Sequence, residues 1–375
     1  MMKPRFILAI AMILTLTLCG CTREVTRDDL PELMSDFSAP QAVNNQADHY
    51  AVLNGEHYID LNRLSPDGTL DKIADNVPPG NPYMADFKYL AADGEYLYCN
   101  AKNMQTSEEN EYHMRSGIYR IDVTNNTIIP LLEWENDEYT YSNPWLYLRD
   151  GYIYFLLDLQ LCRIKTDGTE FEKLTDYNDS YRCTNFFIDD NGYCYYIQNL
   201  TLYRASDTSL ADSEELISDV GKVTLYDGYL YYSDSILSED SSCLYRVPLD
   251  FSSDVQLLAD DMSFNSYYIC NNAIYYCKND PIIVKENPDG TKTRNSNQGQ
   301  INRIDPATGE ITAVTTKSDL AVSEIYNAND KAVIVSGHTN ADLIAENGIS
   351  KYFILPVGTN QYFLVEDKTL ALAGT

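Results

Sequence analysis

The residue types that could support chemistry are few and scattered in this sequence. The four histidines are widely separated and lack the spacing of metal ligands: His49, His57, His113 and His338. No nucleophile elbow, zinc-protease motif or phosphate-binding loop is present. The adjacent carboxylates Asp189/Asp190 and Asp260/Asp261 resemble a glycosidase pair only in type, because they lie in turn sequences where aspartate is favoured for backbone reasons. We therefore predict no catalytic residue, no metal site and no cofactor.

Aromatic residues favour binding instead. The predicted ligand-binding residues are Trp134, Tyr139, Tyr141, Tyr83, Tyr112 and His113. Acidic residues flank Trp134, and such a group could stack on sugars or engage an aromatic or cationic peptide. The alternative is structural: Trp145 would open a strand and belong to the core, and Trp134 would cap a sheet.

A repeated element must position these residues. Its clearest copy spans 227–249, where an Asp-Gly turn opens an aromatic strand and a second strand carries an arginine. The arginine recurs at Arg63, Arg120, Arg163, Arg204, Arg246 and Arg303, and Phe353 fills its position in a seventh copy. Repeats of about 40–50 residues with several strands each predict a β-propeller. The expected fold is all-β, a seven-bladed β-propeller over 47–375, with six or eight blades as alternatives.

Each copy divides into four strands, A to D. In the fourth copy these are Phe186–Ile188, Tyr193–Ile197, Leu202–Ala205 and Glu215–Ile217. In the first copy Tyr50–Leu53 resembles strand B, so that copy is expected to lack a strand. We predict that the C-terminal strand Thr369–Ala373 completes this blade and closes the ring, which removes an exposed sheet edge.

The repeated tyrosines and arginines are predicted to be structural. Tyrosines alternate on the B strands, so their rings should pack between blades. The arginines should pair with an aspartate of their own repeat or with a backbone carbonyl. Seven cysteines follow Cys21, an odd number without a CxxC pair, and most occupy positions where other copies have apolar residues. We therefore expect most of these cysteines to be small buried hydrophobic residues.

The repeat is interrupted at one end of the blades. In a propeller the B–C and D–A connections emerge on one face, here called the loop face, and the A–B and C–D turns on the other, the turn face. The long B–C connections are 100–116, 278–300 and 337–348, and the long D–A connections are 75–85 and 133–144. Because binding residues concentrate in variable loops on a rigid scaffold, the loop face is the predicted ligand surface.

The N-terminus predicts export and anchoring. Residues 1–20 combine a positive start at Lys3 and Arg5 with an apolar stretch too short to span a membrane comfortably. The sequence Leu18-Cys19-Gly20-Cys21 resembles the bacterial lipobox, which implies cleavage before Cys21 and attachment of lipid to it. An uncleaved anchor helix is the alternative. Residues 21–46 are expected to form a flexible tether, with a short amphipathic helix near 28–37 as a further option.

Charge narrows the choice of partner. Removing Lys3 and Arg5 leaves 27 − 2 = 25 basic residues against 56 acidic ones, a net charge of −31. Such a surface repels phosphate backbones, so nucleic acid is not an expected partner. The expected partners are the membrane, through the N-terminal lipid, and a cell-surface protein or glycan. The expected protein is a monomer on the extracytoplasmic face of the cell membrane.

The phrase Tyr231-Tyr232-Ser233-Asp234, followed by Leu244–Asp250, resembles the YWTD-type propeller repeat of low-density-lipoprotein receptors. It is also similar to Tyr-rich repeats of bacterial surface lipoproteins and, more loosely, to TolB-like propellers. Tyr232 replaces the tryptophan, and YWTD rings have six blades. The resemblance implies a propeller that binds rather than catalyses. We therefore predict an anchored extracytoplasmic binding or scaffold module. A propeller enzyme acting on polysaccharide, of glycoside hydrolase or lyase type, is the alternative.

Overall fold

The structure is a computed structural model. It describes residues 24–38, 50–60, 62–73, 86–106, 112–136, 145–176, 183–234, 241–279, 283–286, 292–295, 300–339 and 351–367. Residues 1–20, Cys21, Tyr83, Tyr139 and Tyr141 lie outside this part of the chain. Most of the described chain is antiparallel strand. Its helical part is a 3-10 turn, Arg27–Asp29, followed by helix α1, Leu30–Met34.

Five sheets stand as separate blades, four of them with four strands and one with five. Blade 1 contains β1 (Tyr50–Leu53), β2 (Glu56–Ile59), β3 (Asn62–Leu64) and β4 (Thr69–Lys72). Blade 2 contains β5 (Asp86–Ala92), β6 (Leu97–Thr106), β7 (Tyr112–Asp122) and β8 (Thr127–Asn136). Blade 3 contains β9 (Leu146–Arg149), β10 (Tyr152–Leu157), β11 (Gln160–Lys165) and β12 (Glu172–Lys173). Blade 4 contains β13 (Cys183–Ile188), β14 (Cys194–Gln198), β15 (Thr201–Ala205) and β16 (Glu214–Ser218).

The remaining strands form a double sheet, a small hairpin and the final blade. The double sheet contains β17 (Val220–Tyr226), β18 (Tyr229–Asp234), β19 (Ser242–Pro248), β20 (Gln256–Cys270), β21 (Ala273–Lys278), β24 (Ile301–Ile304) and β25 (Ile311–Ala313). The hairpin pairs β22 (Ile283–Glu286) with β23 (Lys292–Asn295). The final blade contains β26 (Leu320–Ala328), β27 (Ala332–Thr339), β28 (Lys351–Pro356) and β29 (Phe363–Leu364), and β30 (Glu366–Asp367) follows it.

Local sequence explains why each sheet is an up-and-down meander. Asp150-Gly151 and Asp227-Gly228 join consecutive strands with positive φ at both residues, 51° and 75° in the first turn and 48° and 75° in the second. Two such residues in succession match the twist of an antiparallel pair. The fourth copy has the strands expected from its sequence, in the order β13-β14-β15-β16.

Successive sheets pack face to face. Tyr154 of blade 3 packs against Phe186 of blade 4 with 5.5 Å between ring centroids. Tyr50 of blade 1 stacks on Tyr326 of the final blade at 6.1 Å, so the first and last blades are neighbours. Sequential four-stranded meanders packed in this way, with the last against the first, define a β-propeller.

Ring closure differs from the expectation in two ways. Blade 1 has four strands of its own, and Tyr50–Leu53 is strand A rather than strand B, because it pairs only with β2. The C-terminal strand that joins blade 1 is β30, which pairs parallel with β4 through Glu366↔Thr69 and Asp367↔Leu70. The segment Thr369–Ala373, which was expected to close the ring, lies outside the described residues.

The separate sheets do not add up to seven blades. The strand β20 is continuous over 15 residues. Its first part pairs with β19 and its last part with β21, which joins seven strands into one sheet.

The repeated arginines are structural, as expected, and they also stack on aromatic rings. Four guanidinium groups lie over the tyrosine at the start of their own B strand, or one residue before it, at 4.6–5.2 Å from the ring centroid: Arg120, Arg163, Arg204 and Arg246. Arg163 also donates to Glu172 of its own D strand at 2.7 Å. Arg120 instead donates to the carbonyl of Thr166 in the next blade at 3.3 Å. The arginine thus connects strands within a blade and, at this position, one blade to the next.

Residues 24–38, here called the N-terminal segment, are packed on the propeller. Leu30, Met34 and Phe37 are buried in one apolar cluster with Tyr50 of blade 1 and Ile354 of the final blade. The prediction of a flexible tether over 21–46 is therefore wrong for this segment. Burying three large apolar side chains offsets the entropy of ordering the chain.

Candidate functional site

Blade 2 is enlarged on the loop face. Its strands β6, β7 and β8 have 10, 11 and 10 residues, whereas β10 and β14, the B strands of the next two blades, have six and five. The extra length continues the sheet, with Thr106 paired to Tyr112 and Met114 paired to Asn136. We call residues 101–106, 112–117 and 133–136 the blade 2 extension. The described part of the predicted long B–C connection 100–116 is thus paired strand, in β6 and β7.

The extension carries three of the six predicted binding residues. Tyr112 and His113 pair with Thr106 and Gln105 at its tip, and Trp134 pairs with Ser116 near its base. Ser116, the partner of Trp134, lies three positions after His113 along β7. This spacing corresponds to about 10 Å along the strand. Tyr83, Tyr139 and Tyr141 lie outside the described residues, so they are neither joined to this group nor separated from it.

Trp134 lies at the seam between blades 2 and 3. Its ring stacks on Phe155 with 6.1 Å between centroids and 8° between planes. It is partly buried against the apolar cluster of this seam, and its Nε1 is buried without a hydrogen-bond partner in the described structure. Trp145 is 7% exposed and stacks on Phe186 at 5.7 Å, so it belongs to the core.

Asn100 is a residue of this seam that sequence reasoning missed. It pairs with Ile118, which packs beside Phe155 in the same apolar cluster, so both side chains face blade 3. Asn100 is 1% exposed, yet neither its Oδ1 nor its Nδ2 has a partner within the described part of the chain. An unpaired buried amide is costly, and such groups in a native protein call for an explanation.

Asn100 differs from the residues at the same position in the other blades. The strand pairings place it in register with Leu156, Ile197, Ser233 and Cys277. The polar members Ser233 and Cys277 have partners: Ser233 accepts from the backbone N–H of Lys222 at 3.0 Å, and Cys277 lies 3.2 Å from the hydroxyl of Ser266. Aligning the repeats by their arginines would have singled out Asn100. Its lack of a partner could not be read from sequence.

One carboxylate of each acidic pair considered for catalysis has structural partners. The carboxylate of Asp189 accepts the backbone N–H groups of Asn191 and Tyr193, each at 2.9 Å. Asp261 accepts the hydroxyl of Tyr276 at 2.9 Å and pairs with Lys278. No cluster of three metal-binding side chains occurs among the residues that the structure describes.

A cavity of about 570 Å³ lies on the turn face between blade 4 and the double sheet, beside Tyr193, Arg204, Tyr229 and Asp250. Its polar groups are engaged nearby: Arg204 pairs with Glu214, and Asp250 accepts from the backbone of Ser252. This cavity is an open cleft on the face opposite the blade 2 extension.

Five cysteines behave as the small buried hydrophobes that were expected. Their thiols are free and buried, and burial raises the pKa of each: Cys99, Cys162, Cys194, Cys270 and Cys277. A thiol with a raised pKa is a poor nucleophile at neutral pH.

No family model matches the chain, and no curated protein does. Among solved structures the chain is similar to an oligogalacturonate lyase in complex with manganese, at 13% identity over 78% of this chain and 86% of that one, with a TM-score of 0.47. It is also similar to the calcium-binding protein regucalcin of Agrobacterium tumefaciens (11% identity, 74% and 92% covered, TM-score 0.41) and to a chain of the nidogen/laminin complex (10%, 85% and 96%, 0.37). Structural similarity at this low level does not identify a ligand or a reaction for this chain.

Replacing Asn100 with leucine is expected to stabilise the protein. The change keeps the approximate shape of the side chain and removes two unpaired buried polar atoms, so unfolding should require about 1–3 kcal/mol more. Chemical denaturation measures this difference. The matched control is Ser233→Ala, which removes a satisfied polar group at the same register and should destabilise by about 1 kcal/mol. A destabilised Asn100→Leu variant would show that the amide has a stabilising partner.

Proposed function

We propose that this protein is a membrane-anchored, extracytoplasmic binding module that recognises a protein, peptide or glycan through its loop face. The observation that carries this proposal is the blade 2 extension. It projects three paired strands beyond the blade and bears Tyr112 and His113 at its tip. A segment whose backbone is already paired in a sheet loses little entropy on binding.

The seam below the extension supports the same proposal. Asn100 and Trp134 hold buried polar atoms without partners in the described structure, on the blade that carries the enlarged hairpin. A bound polar ligand, or a segment that rearranges when the ligand binds, would supply the missing partners. Sugars and peptides both offer the necessary donors and acceptors together with surfaces for stacking on a ring.

The ring is proposed to have seven blades. On this interpretation the double sheet is two blades that share β20 as the outer strand of one and the inner strand of the next. Two features support it: β20 pairs with β19 up to Met262 and with β21 from there on, and the pairing register shifts between Met262 and Tyr267. Together with the five separate blades, the two halves make seven.

Anchoring is proposed to depend on lipid attached to Cys21. Changing Cys21 to alanine should move the protein from the membrane fraction to the soluble fraction, because the variant has no residue to carry the lipid, whereas an uncleaved anchor helix would keep it in the membrane. Within the described residues no helix is long and apolar enough to cross a bilayer. Fractionation of cells that express either form measures this. A Cys21→Ala variant that stays with the membrane would contradict the lipid anchor.

The ligand class can be tested directly with glycan and peptide arrays. The probe should span residues 24–375 rather than 47–375, because the N-terminal segment is part of the packed structure. We expect saturable binding to one class. Release of shortened or unsaturated sugar products from a bound polysaccharide would favour the enzyme instead.

A further inference from the structure

The N-terminal segment contacts one face of the propeller. Val25 exchanges two backbone hydrogen bonds with the side chain of Gln361, each at 3.1 Å, in the β28–β29 connection. Leu33 accepts a bond from Asn329 in the β26–β27 turn at 3.0 Å. These connections are a C–D and an A–B turn, so both contacts lie on the turn face.

Two further contacts of the segment extend this pattern. Leu30 lies against Gly68 in the β3–β4 turn, where a Cβ added to the glycine would be 3.0 Å from a Leu30 methyl carbon. The hydroxyl of Ser38 lies 3.0 Å from the side-chain oxygen of Asn271 in the β20–β21 turn. The segment therefore crosses the turn face from the rim of the final blade to the double sheet.

Charged pairs also hold the segment. Arg27 donates to the carbonyl of Leu364 at 2.8 Å and pairs with Glu366 at 3.0 Å, beside the strand that closes the ring. Asp36 pairs with Lys331 at 2.8 Å. Exposed pairs contribute little individually, but here they flank a buried apolar cluster and fix the path of the chain over the surface.

We infer that the propeller is oriented on the membrane, with its turn face toward the lipid and its loop face directed away. This inference rests on the lipid anchor at Cys21 proposed above. Four peptide units separate Cys21 from Val25, whose backbone bonds to Gln361. An extended chain covers at most about 14 Å over that distance. The rim of the turn face beside Gln361 is therefore held close to the bilayer surface.

Electrostatic attraction does not produce this orientation. The C–D turns carry aspartates that accept backbone N–H groups: Asp67, Asp122, Asp167, Asp250 and Asp305. Side-chain and backbone hydrogen bonds lower the pKa of three of them, Asp122, Asp167 and Asp250, so these carboxylates are charged at neutral pH. These carboxylates are repelled by anionic lipids over roughly 8 Å at physiological salt. The short covalent link must therefore set the geometry.

The orientation bears on the proposed binding role. The blade 2 extension would project from the surface farthest from the membrane, where a large partner or a polysaccharide can approach without obstruction. A protein on a long flexible tether would need no such arrangement, because it could rotate freely.

Energy transfer between a dye on the protein and acceptor lipids tests the inference. Asn191→Cys labels the turn face of blade 4 and Asn199→Cys labels its loop face, in a background with Cys183→Ser and Cys243→Ser. Both asparagines are exposed. The five-residue strand β14, about 17 Å long, lies between them. The lipidated full-length protein is bound to phosphatidylcholine vesicles that contain the acceptor. We expect clearly higher transfer from position 191 than from position 199.

Two further variants separate the possible failures. Inserting 20 Gly/Ser residues after Arg23 keeps the lipid and the fold but lengthens the link by roughly 25 Å, so the difference between the two positions should shrink. Any of three results would overturn the orientation. These are equal transfer from the two positions without the insertion, higher transfer from position 199, and a difference between the positions that the insertion leaves unchanged. Cys21→Ala should abolish transfer at both positions. Transfer that persists in that variant would instead overturn the lipid anchor.

Discussion

Replacing Leu30 with alanine is expected to lower the free energy of unfolding by about 2–5 kcal/mol. Leu30 is 0% exposed and packs between blade 1 and the final blade with Met34, Phe37 and Ile354. The substitution would leave a cavity at the junction where the ring closes. Because this junction joins the first and last blades, the loss should appear in the global unfolding transition, which urea denaturation measures.

The control for this prediction lies two residues away on the same helix. Glu32 has an exposed side chain, and the bond from Lys331 reaches only its backbone carbonyl. Glu32→Ala should therefore change stability by no more than about 0.5 kcal/mol. Similar small effects from Leu30→Ala and Glu32→Ala would mean that the N-terminal segment contributes little to the fold, contrary to our account.

The second large effect concerns pH. Burial lowers the pKa of His57 from 6.5 to about 4. Its Nδ1 is hydrogen-bonded to the hydroxyl of Tyr50, which itself accepts from the amide of Asn327 at 2.9 Å. The Tyr50 proton is therefore directed at Nδ1, which must be unprotonated to accept it. Phe37 packs edge-on against the same imidazole at 5.8 Å.

The direction of the pH effect follows from this lowered pKa. Between pH 6.5 and pH 4 the unfolded chain binds a proton at His57 that the folded protein excludes. The contribution of His57 to the free energy of unfolding is therefore fully present above pH 6.5 and declines as the pH falls through this range. From pH 7 to pH 5 the loss should be about 2 kcal/mol. His57→Gln should lack this loss, while other groups titrate alike in both proteins. Equal losses in the two proteins, measured by denaturation at both pH values, would contradict a buried neutral imidazole.

Much of the fold could be predicted from sequence because the repeat encodes it locally. Turn pairs such as Asp227-Gly228 and the alternation of Tyr229 and Tyr231 mark a hairpin without any knowledge of distant contacts. The ring closure was harder to predict. The strand that pairs with β4 is the charged pair Glu366-Asp367, which has no apolar pattern of its own.

The N-terminal segment shows where composition misleads. Its acidic and polar residues suggested a tether, yet Leu30, Met34 and Phe37 follow the i, i+4, i+7 spacing of an amphipathic helix. So short a helix has little stability alone. It persists because its apolar face is buried at the junction between blade 1 and the final blade. That junction exists only in the assembled ring.

The strands that carry the predicted binding residues of blade 2 were easier to predict from sequence than their pairing. Long B–C insertions identified blade 2, and Trp134, Tyr112 and His113 all lie on its strands. Sequence could not reveal that the insertion extends the sheet, since strand pairing depends on β8 running alongside β7 as far as Asn136.

Removing the outer part of the blade 2 extension tests whether the ligand binds at the loop face. Residues 103–115 are replaced by Asn-Gly, which joins the paired residues Lys102 and Ser116 through a tight turn and leaves the blade below intact. Wild type and variant, both spanning residues 24–375, are titrated with the ligand class identified on the arrays. We expect at least a 100-fold loss of affinity with little change in melting temperature. Unchanged affinity in a folded variant would contradict it.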